Sequence, residues 1–210
     1  MKTIKIICVL ALLASTSACV TGTREINLET PNSTSSVSKD GLIYIASIED
    51  KREFEQKPRK PEIPSVKGKL ESKTATELST YIGRQRNGYG GAMGSVSLNE
   101  GSTVQSEVKK LISSELVARG YTISDTPENA KSLDIDIEKF WAWMVPGFIS
   151  IGFESELLLK LESQGSSSSV HGKGNNEGQV ASNANWALTY KRAYADLLSK
   201  LAVALDEIGL

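Results

Sequence analysis

The sequence predicts an α+β fold, a two-layer sandwich in which two amphipathic helices cover one face of a mostly antiparallel sheet. Along the centre of the chain apolar and polar residues alternate, which is typical of strands with one buried and one solvated face, as in antiparallel sheets. Two other segments repeat apolar residues every three or four positions, as amphipathic helices do. A sheet layer and a helical layer of this kind would enclose one core.

The first strand is predicted at 42–48, a β-branched run suited to burial. Residues 51–77 contain three prolines and have eight basic and five acidic side chains. This segment predicts a solvated loop or, alternatively, a surface that docks a partner. Two short strands, Tyr81–Arg86 and Ala92–Leu98, are predicted to form a hairpin around the Gly-rich residues 87–91.

Two helices are predicted from apolar stripes and capping residues. Ser102 suits the N-cap of the first, with Gln105 completing a capping box, and Gly120 suits its end. Asn183 or Asn185 suits the cap of the second. The stripe residues are Val104, Val108, Leu111, Ile112 and Leu116 in the first helix, and Trp186, Tyr190, Tyr194, Leu197, Leu201, Leu205 and Ile208 in the second.

Between the helices the chain predicts a three-stranded meander. Residues 133–138 alternate apolar and acidic side chains, and the strand continues to 145. Residues 149–162 alternate apolar and polar side chains, and 166–179 is a polar third strand. Pro146-Gly147 suits the central positions of a type II turn between the first two strands. The predicted order is therefore a strand, a hairpin, a helix, the meander and a final helix.

The first 18 residues are typical of a secretory signal peptide. Lys2 and Lys5 give a short basic start, and the apolar run at 6–14 is far short of the roughly 20 residues that span a bilayer. Small residues at 15–18 come directly before Cys19.

Residues 17–19, Ser-Ala-Cys, resemble the bacterial lipobox, whose cysteine receives a diacylglyceryl group and becomes the new N-terminus. The resemblance implies a lipid anchor at Cys19, with three acyl chains such as palmitate giving lasting attachment. Cys8 would leave with the signal, so no disulfide is possible in the mature chain. Thr16 stands where the lipobox usually has Leu, and ordinary cleavage after Ala18 is the alternative.

Val20, and not an aspartate, follows the cysteine. By analogy with enteric lipoproteins this implies the outer membrane, with the domain facing the periplasm. Residues 19–40 are predicted to be the lipidated N-terminus and a flexible tether, because the stretch is rich in Ser, Thr and Asn and lacks periodicity. Such a tether reaches on the order of 25 Å. Residues 41–210 are predicted to form a single α+β domain.

Composition excludes a nucleic-acid partner. The chain of 210 residues has 24 basic and 25 acidic side chains. The predicted signal holds two of the basic residues and none of the acidic ones, so the remainder carries a formal charge of −3. That balance gives no basic field for nucleic acid.

The order of elements resembles the YajG-like family of bacterial lipoproteins, over essentially the whole mature chain. The resemblance implies no established enzymatic activity and no catalytic residues. The layout of helices on a sheet also resembles accessory lipoproteins of envelope export machines, by fold alone. The shared features of the YajG-like family are the Cys19 anchor, a Ser/Thr/Pro tether, a strand ending near Asp50-Lys51-Arg52, Ile82-Gly83-Arg84, Ala118-Arg119-Gly120-Tyr121, the meander and the last helix.

No residue pattern predicts a reaction centre, and we expect no enzyme, no metal and no cofactor. His171 is the sole histidine, too few for the usual zinc sites, and a triad built on it with Ser169 has unsuitable geometry. The Gly-rich residues 88–94 lack the ending of a P-loop. The acidic residues that could bind calcium weakly, or simply form a wet sheet face, are Asp134, Asp136, Glu138, Glu154 and Glu156.

Four aromatic residues near the predicted turn are the candidate interaction site: Phe140, Trp141, Trp143 and Phe148. Alternation places Trp141 and Trp143 on one face and Phe140 on the other, so they cannot all enter one core. Exposed aromatics at a hairpin tip would mark an interaction surface. The alternative is that both tryptophans pack beneath a helix, with Phe140 a surface ring.

These patterns together predict a non-catalytic cell-envelope lipoprotein, a protein-interaction or assembly accessory at the outer membrane. Its partners would be the membrane, through the anchor, and an envelope protein or a second copy of the chain. The alternative function is a module that binds a small ligand or a cell-wall fragment through the sheet face and the turn at 88–94. A hydrolase would depend on His171.

Overall fold

A computed structural model describes residues 22–33, 38–87, 89 and 91–210, so the predicted signal and Cys19 lie outside the described residues. The described chain forms eight strands and three α-helices, with a short 3-10 turn at Leu70–Ser72. The strands are β1 (Thr23–Ile26), β2 (Leu42–Asp50), β3 (Tyr81–Arg86), β4 (Ala92–Leu98), β5 (Thr122–Ser124), β6 (Ala130–Pro146), β7 (Ile151–Ser163) and β8 (Ser166–Gly178). The helices are α1 (Ala75–Leu78), α2 (Val104–Ala118) and α3 (Asn183–Glu207).

All eight strands belong to one mixed sheet built around β6. On one edge of β6 lies β7, antiparallel, followed by β8, also antiparallel. Two strands share the other edge: β2 pairs in parallel with the first half of β6, and β3 pairs in parallel with Ala142 and Trp143. Beyond β2 lies β5, and beyond β3 lie β4 and then β1.

The prediction of a mostly antiparallel two-layer sandwich is wrong, although the α+β class is correct. Four of the seven strand pairings in the described chain are parallel. Alternating apolar and polar residues indicate that a strand has one solvated face, but they do not indicate whether the neighbouring strand is parallel or antiparallel. The chain returns β6 beside β2 only after passing through β3, β4 and α2, and a crossover of this kind makes neighbouring strands parallel.

Both long helices pack on the sheet and share one core. The buried side chains of α2 and α3 belong to a single apolar cluster with those of β6 and β7. Helix α2 lies against β2 and β5, and α3 lies against β7 and β8. The N-caps are Thr103, which forms a capping box with Ser106, and Ser182, each one residue from a predicted cap.

The fold begins earlier than residue 41. Residues 23–26, predicted as part of a tether, form β1 beside β4. Ile26 and Leu28 are buried in the core, with 2% and 7% of their surfaces exposed. A four-residue strand is too short to show a periodicity, which is why the pattern missed it. In the sequence, Cys19 therefore stands four residues before β1 and not at the end of a tether of about 20 residues.

The segment 51–69 covers the outer face of the sheet, opposite the helices. Trp141 Nε1 donates a hydrogen bond of 3.2 Å to the Pro61 carbonyl oxygen, and the Phe54 ring meets the Trp141 ring edge-on, with centroids 5.9 Å apart. Val66 is 5% exposed. The segment is therefore a packed cover and not the solvated loop that its charge predicts.

Arg52 fills the junction at which β2 ends and β3 begins along the shared edge of β6. Its guanidinium makes a bidentate pair with Asp50, at 2.7 and 2.8 Å. The same group donates to three backbone carbonyl oxygens, those of Leu78, Tyr81 and Phe140, at 2.7 to 3.0 Å. These contacts satisfy carbonyls that strand pairing would otherwise leave open at the junction.

Candidate functional site

The four aromatic residues predicted as an interaction site are placed in three different environments. Phe140 lies in the core beneath α3, where its ring stacks on Tyr190 with centroids 5.2 Å apart. Trp141 is fully buried on the opposite face, under the segment 51–69, and Trp143 on that face is 7% exposed. Phe148 is fully exposed. Neither tryptophan packs beneath a helix, and Phe140 is not a surface ring.

Phe148 belongs to a tight turn between β6 and β7. Gly147 donates its backbone N–H to the Ser150 carbonyl oxygen at 2.9 Å, which closes the turn over 147–150. A Cβ at Gly147 would lie 2.6 Å from the same oxygen, so a side chain does not fit. The turn is not the type II turn predicted at Pro146-Gly147, since Pro146 ends β6 and Gly147 does not adopt the positive φ of that turn.

The face of β7 and β8 that points away from α3 includes Glu156, His171 and Lys173, and we call it the open face. It carries an ion-pair cluster centred on Glu156. Lys139 donates to Glu156, Lys173 Nζ lies 3.2 Å from its other oxygen, and His171 Nε2 lies 3.9 Å away. Burial acts to raise the pKa of Glu156, but the two lysines outweigh it and hold the pKa below its usual value. Burial lowers the pKa of His171, against the opposing effect of Glu156. The cluster is a surface ion-pair network in which the lysines pair with Glu156, while His171 Nε2 makes no hydrogen bond.

The long edge strand β8 is capped by one face of α3. Lys200 donates to the His171 carbonyl oxygen at 3.0 Å, Asp196 accepts from the Lys173 backbone N–H at 2.8 Å, and Arg192 donates to the Asn175 carbonyl oxygen at 2.6 Å. The capping residues are spaced four apart on the helix, and the capped residues alternate along the strand. Edges with free backbone groups recruit further strands, so these contacts oppose strand addition at β8.

Glycines in β8 let α3 approach closely enough to reach that edge. A Cβ at Gly174 would lie 2.0 Å from the Thr189 carbonyl oxygen, and one at Gly172 would lie 2.5 Å from that of Ala193. Glycine inside a strand marks a close approach of another backbone. The run Gly172-Lys173-Gly174 in the polar third strand therefore indicates that a helix packs closely against it, and this contact was not predicted from the sequence.

The predicted acidic cluster does not form, because Glu154 and Glu156 of β7 do not pair with the acidic residues of β6 that were predicted to face them. Glu156 lies opposite Trp141, and Glu154 lies opposite Trp143. Asp134 accepts a hydrogen bond of 2.5 Å from Ser47. Within the described residues, no group of three or more His, Cys, Asp or Glu side chains could hold a metal ion. In the same part of the chain, no helix is long and apolar enough to cross a membrane.

One cavity of about 430 Å³ lies between the covering segment 51–69 and β6. Its wall mixes carboxylates with two lysines and a small apolar patch. The lining residues are Lys51, Glu53, Glu55, Glu62, Ile63, Pro64, Glu138 and Lys139. An arrangement of this kind suits a small polar ligand that carries both donors and acceptors. The sequence did not predict this cavity, and the turn at 88–94, which it did predict as a ligand surface, lies partly outside the described residues.

Comparison with known proteins gives structural likeness alone. No protein-family model matches the chain. No curated protein matches it either. Protein XCC0632 from Xanthomonas campestris, assigned to the family model DUF330, is 12% identical with a TM-score of 0.45, over 89% of this chain and 93% of its own. An uncharacterized protein is 9% identical with a TM-score of 0.35, over 89% and 98%. The structural neighbours of this chain thus include a DUF330 protein, and neither likeness identifies a function.

Proposed function

We propose that this chain is a non-catalytic cell-envelope lipoprotein, anchored through lipid on Cys19 in the outer membrane and facing the periplasm. In this role it is an accessory in the assembly of other envelope proteins or of its own copies. The observation that carries the proposal is the lipobox-like Ser-Ala-Cys at 17–19 placed four residues before β1. A domain that begins so soon after the cysteine works at the membrane surface.

The accessory role is supported by the surfaces of the described domain. His171, on which a hydrolase would depend, lies 3.9 Å from Glu156 in a charge network that also contains Lys173. The open face of β7 and β8 carries both acidic and basic side chains, which suits a polar partner surface. We also propose the finer assignment to the YajG-like family, on the shared order of elements described above.

The anchor is tested by mass spectrometry of the mature N-terminus, with Cys19→Ser as the matched variant. We expect a diacylglyceryl and acyl mass on Cys19 and recovery of the protein in the outer-membrane fraction. The Cys19→Ser protein should lose both. An unmodified Cys19 at the mature terminus would contradict the anchor.

The partner is tested by photo-crosslinking in cells from the open face. A photoreactive residue at Lys173, which is well exposed on β8, should give a discrete adduct with an envelope protein or a second copy of the chain. Lys191, exposed on the far side of α3, is the control position. If the adducts formed at position 173 are no stronger than those at position 191, the open face is not a partner surface, which contradicts the accessory role.

The alternative function, binding of a small ligand or cell-wall fragment, is favoured by the cavity beneath the segment 51–69. Muropeptides carry both amines and carboxylates, which match the mixed lining. A thermal shift with muropeptides that Glu138→Gln abolishes, combined with a negative crosslinking result, would favour this function over the accessory role.

A further inference from the structure

One end of the sheet gathers the chain turns that expose apolar side chains. Because β3 runs parallel to β6, the turn after Arg86 and the turn after Pro146 lie at the same end. Because β7 and β8 are antiparallel, β8 also ends there, with Gly178 paired to Ile151. The connection from β8 to α3 therefore starts at this end as well.

We name this end the apolar tip, after five exposed side chains in or beside these turns. Phe148 and Tyr89 are fully exposed, and Ile149 is 79% exposed. Val180 and Val145 are 63% and 45% exposed. The first three are the most exposed large apolar side chains of the described residues. A cluster of exposed apolar side chains at one end of a domain marks a contact surface.

The N-terminus of the fold points to the same end. Strand β1 runs parallel to β4 and therefore starts on the side of the tip, with Thr23 level with Ser95. Ser95 pairs with Arg84, and Arg84 pairs with Trp143, so Thr23 lies about 10 Å below the end of β6 at roughly 3.3 Å per residue.

Chain length then limits where the cysteine can be. Three residues lie between Cys19 and Thr23, and the four steps from one to the other span at most roughly 14 Å when fully extended. An acylated Cys19 at the bilayer surface therefore keeps Thr23 within roughly 14 Å of the lipid headgroups. In a domain that stands upright at this distance, the apolar tip faces the bilayer. Aromatic and aliphatic side chains in exposed turns are the groups that enter this interface favourably.

We propose that the apolar tip contacts the lipid surface to which Cys19 is attached, so that the domain stands on the bilayer with Phe148 and Ile149 in the headgroup region. The inference rests on the proposed lipid anchor and adds a second membrane contact to it. The contact orients the domain: the open face of β7 and β8 stands upright beside the membrane, and the far end of α3 faces away.

The test uses the full lipidated chain in vesicles of phosphatidylethanolamine and phosphatidylglycerol. The mature chain has no cysteine other than Cys19, so Phe148→Cys supplies the single free thiol for an environment-sensitive fluorophore. Val203→Cys is the matched control: Val203 is an equally apolar, 62% exposed position near the end of α3 that packs beside the start of β8, away from the tip. Quenching is measured with nitroxide-bearing lipid and with aqueous iodide.

We expect nitroxide lipid to quench the fluorophore at position 148 roughly three times as strongly as the one at position 203, or more. Aqueous iodide should instead quench the fluorophore at 203 more strongly than the one at 148. In a second chain, labelled through Val180→Cys, replacing Phe148 and Ile149 by Ser should reduce lipid quenching to the level at 203.

Equal quenching at 148 and 203 on floating vesicles overturns the tip contact while leaving the anchor intact. A photo-crosslink from 148 to a protein instead of lipid also overturns it. A chain that does not float with the vesicles overturns the anchor and the inference with it.

Discussion

At the scale of single residues, Arg52 shows how this fold tolerates a buried charge. Its side chain is fully buried, and every hydrogen bond that the guanidinium makes is to Asp50 or to a backbone carbonyl at the junction of β2 and β3. A buried charge is stable only when it is paired and hydrogen-bonded in this way. The sequence marked Arg52 merely as the end of a strand, because its partners at 78, 81 and 140 are distant in the chain.

Replacing Arg52 by Ala should destabilise the domain by about 3–5 kcal/mol, because it leaves a partly buried carboxylate and three carbonyl groups without their donor. Arg52→Lys should recover little, since an ammonium group cannot make the bidentate contact. Urea denaturation measures both. Arg59→Ala, at an exposed position of the same segment, is the control and should be close to neutral. A loss no larger than that of Arg59→Ala would refute the junction role.

Glu156 should make stability depend on pH. Burial alone would raise its pKa, and the contacts with Lys139 and Lys173 lower it below the usual value. A carboxyl with a depressed folded-state pKa stabilises the fold above its unfolded pKa of about 4.3, and that contribution is lost as the pH falls through the folded pKa. Glu156→Gln should therefore cost on the order of 1 kcal/mol at pH 7, and the difference from the unmodified chain should shrink below about pH 4.

Thermal denaturation from pH 3 to pH 8 measures the dependence on Glu156. Glu162→Gln is the control, since Glu162 lies on the same strand, is half exposed and has a lysine only at 3.7 Å. Its effect at pH 7 should be small. A cost at Glu156 that stays constant across the whole pH range would show that the side chain acts through packing and not through its charge.

At the scale of elements, the local patterns located the strands and helices well. The predicted hairpin is confirmed, with the bounds of β3 and β4. Both helices are confirmed, with N-caps one residue from those expected, because a cap depends on neighbouring residues alone. The patterns failed for β1 and β5, which have four and three residues, because so short a strand has no measurable period.

The contact of α3 with β8 should be highly sensitive to an added methyl group. A Cβ at Gly174 would lie 2.0 Å from a backbone oxygen of α3, which cannot move without displacing the helix. Gly174→Ala should cost about 1–3 kcal/mol or more from overpacking, read from the midpoint of thermal unfolding. Gly152→Ala on β7 is the control, because its new Cβ would have ordinary contacts at 3.4 Å. Equal midpoints for the two variants would mean that α3 does not lie this close to β8.

At the scale of the whole molecule, the N-terminal strand sets how close the folded domain begins to Cys19. Ile26 and Leu28 are buried, the carbonyl oxygen of Gly22 accepts from the Ser95 backbone N–H at 3.2 Å, and Asn183 donates to the Glu25 carbonyl oxygen at 3.0 Å. The start of the chain is therefore held by both the sheet and α3. A freely moving tether of about 20 residues would have separated the domain from the membrane.

A chain that starts at Gly41, the predicted domain boundary, should be less stable than one that starts at Val20. Loss of the buried Ile26 and Leu28 side chains alone should cost about 3 kcal/mol or more, at roughly 1.5–3 kcal/mol for each. Urea denaturation of the two soluble chains measures the difference. Equal unfolding midpoints for the two chains would show that residues 23–33 do not stabilise the domain and serve only as a tether.

Local sequence patterns suffice to predict the α+β class and the positions of the long strands and helices, and they lead to the proposal of a lipid anchor at Cys19, because periodicity, capping and the lipobox-like run depend on neighbouring residues. The tertiary structure was needed to show that β2 and β3 share one edge of β6, that β1 joins the sheet, and that Phe140 and Trp141 are both buried. It also shows that Phe148 is exposed at the end of the sheet where β1 starts. Strand direction and the choice of partner depend on which distant surfaces bury the most apolar area together, and no local pattern encodes that free energy.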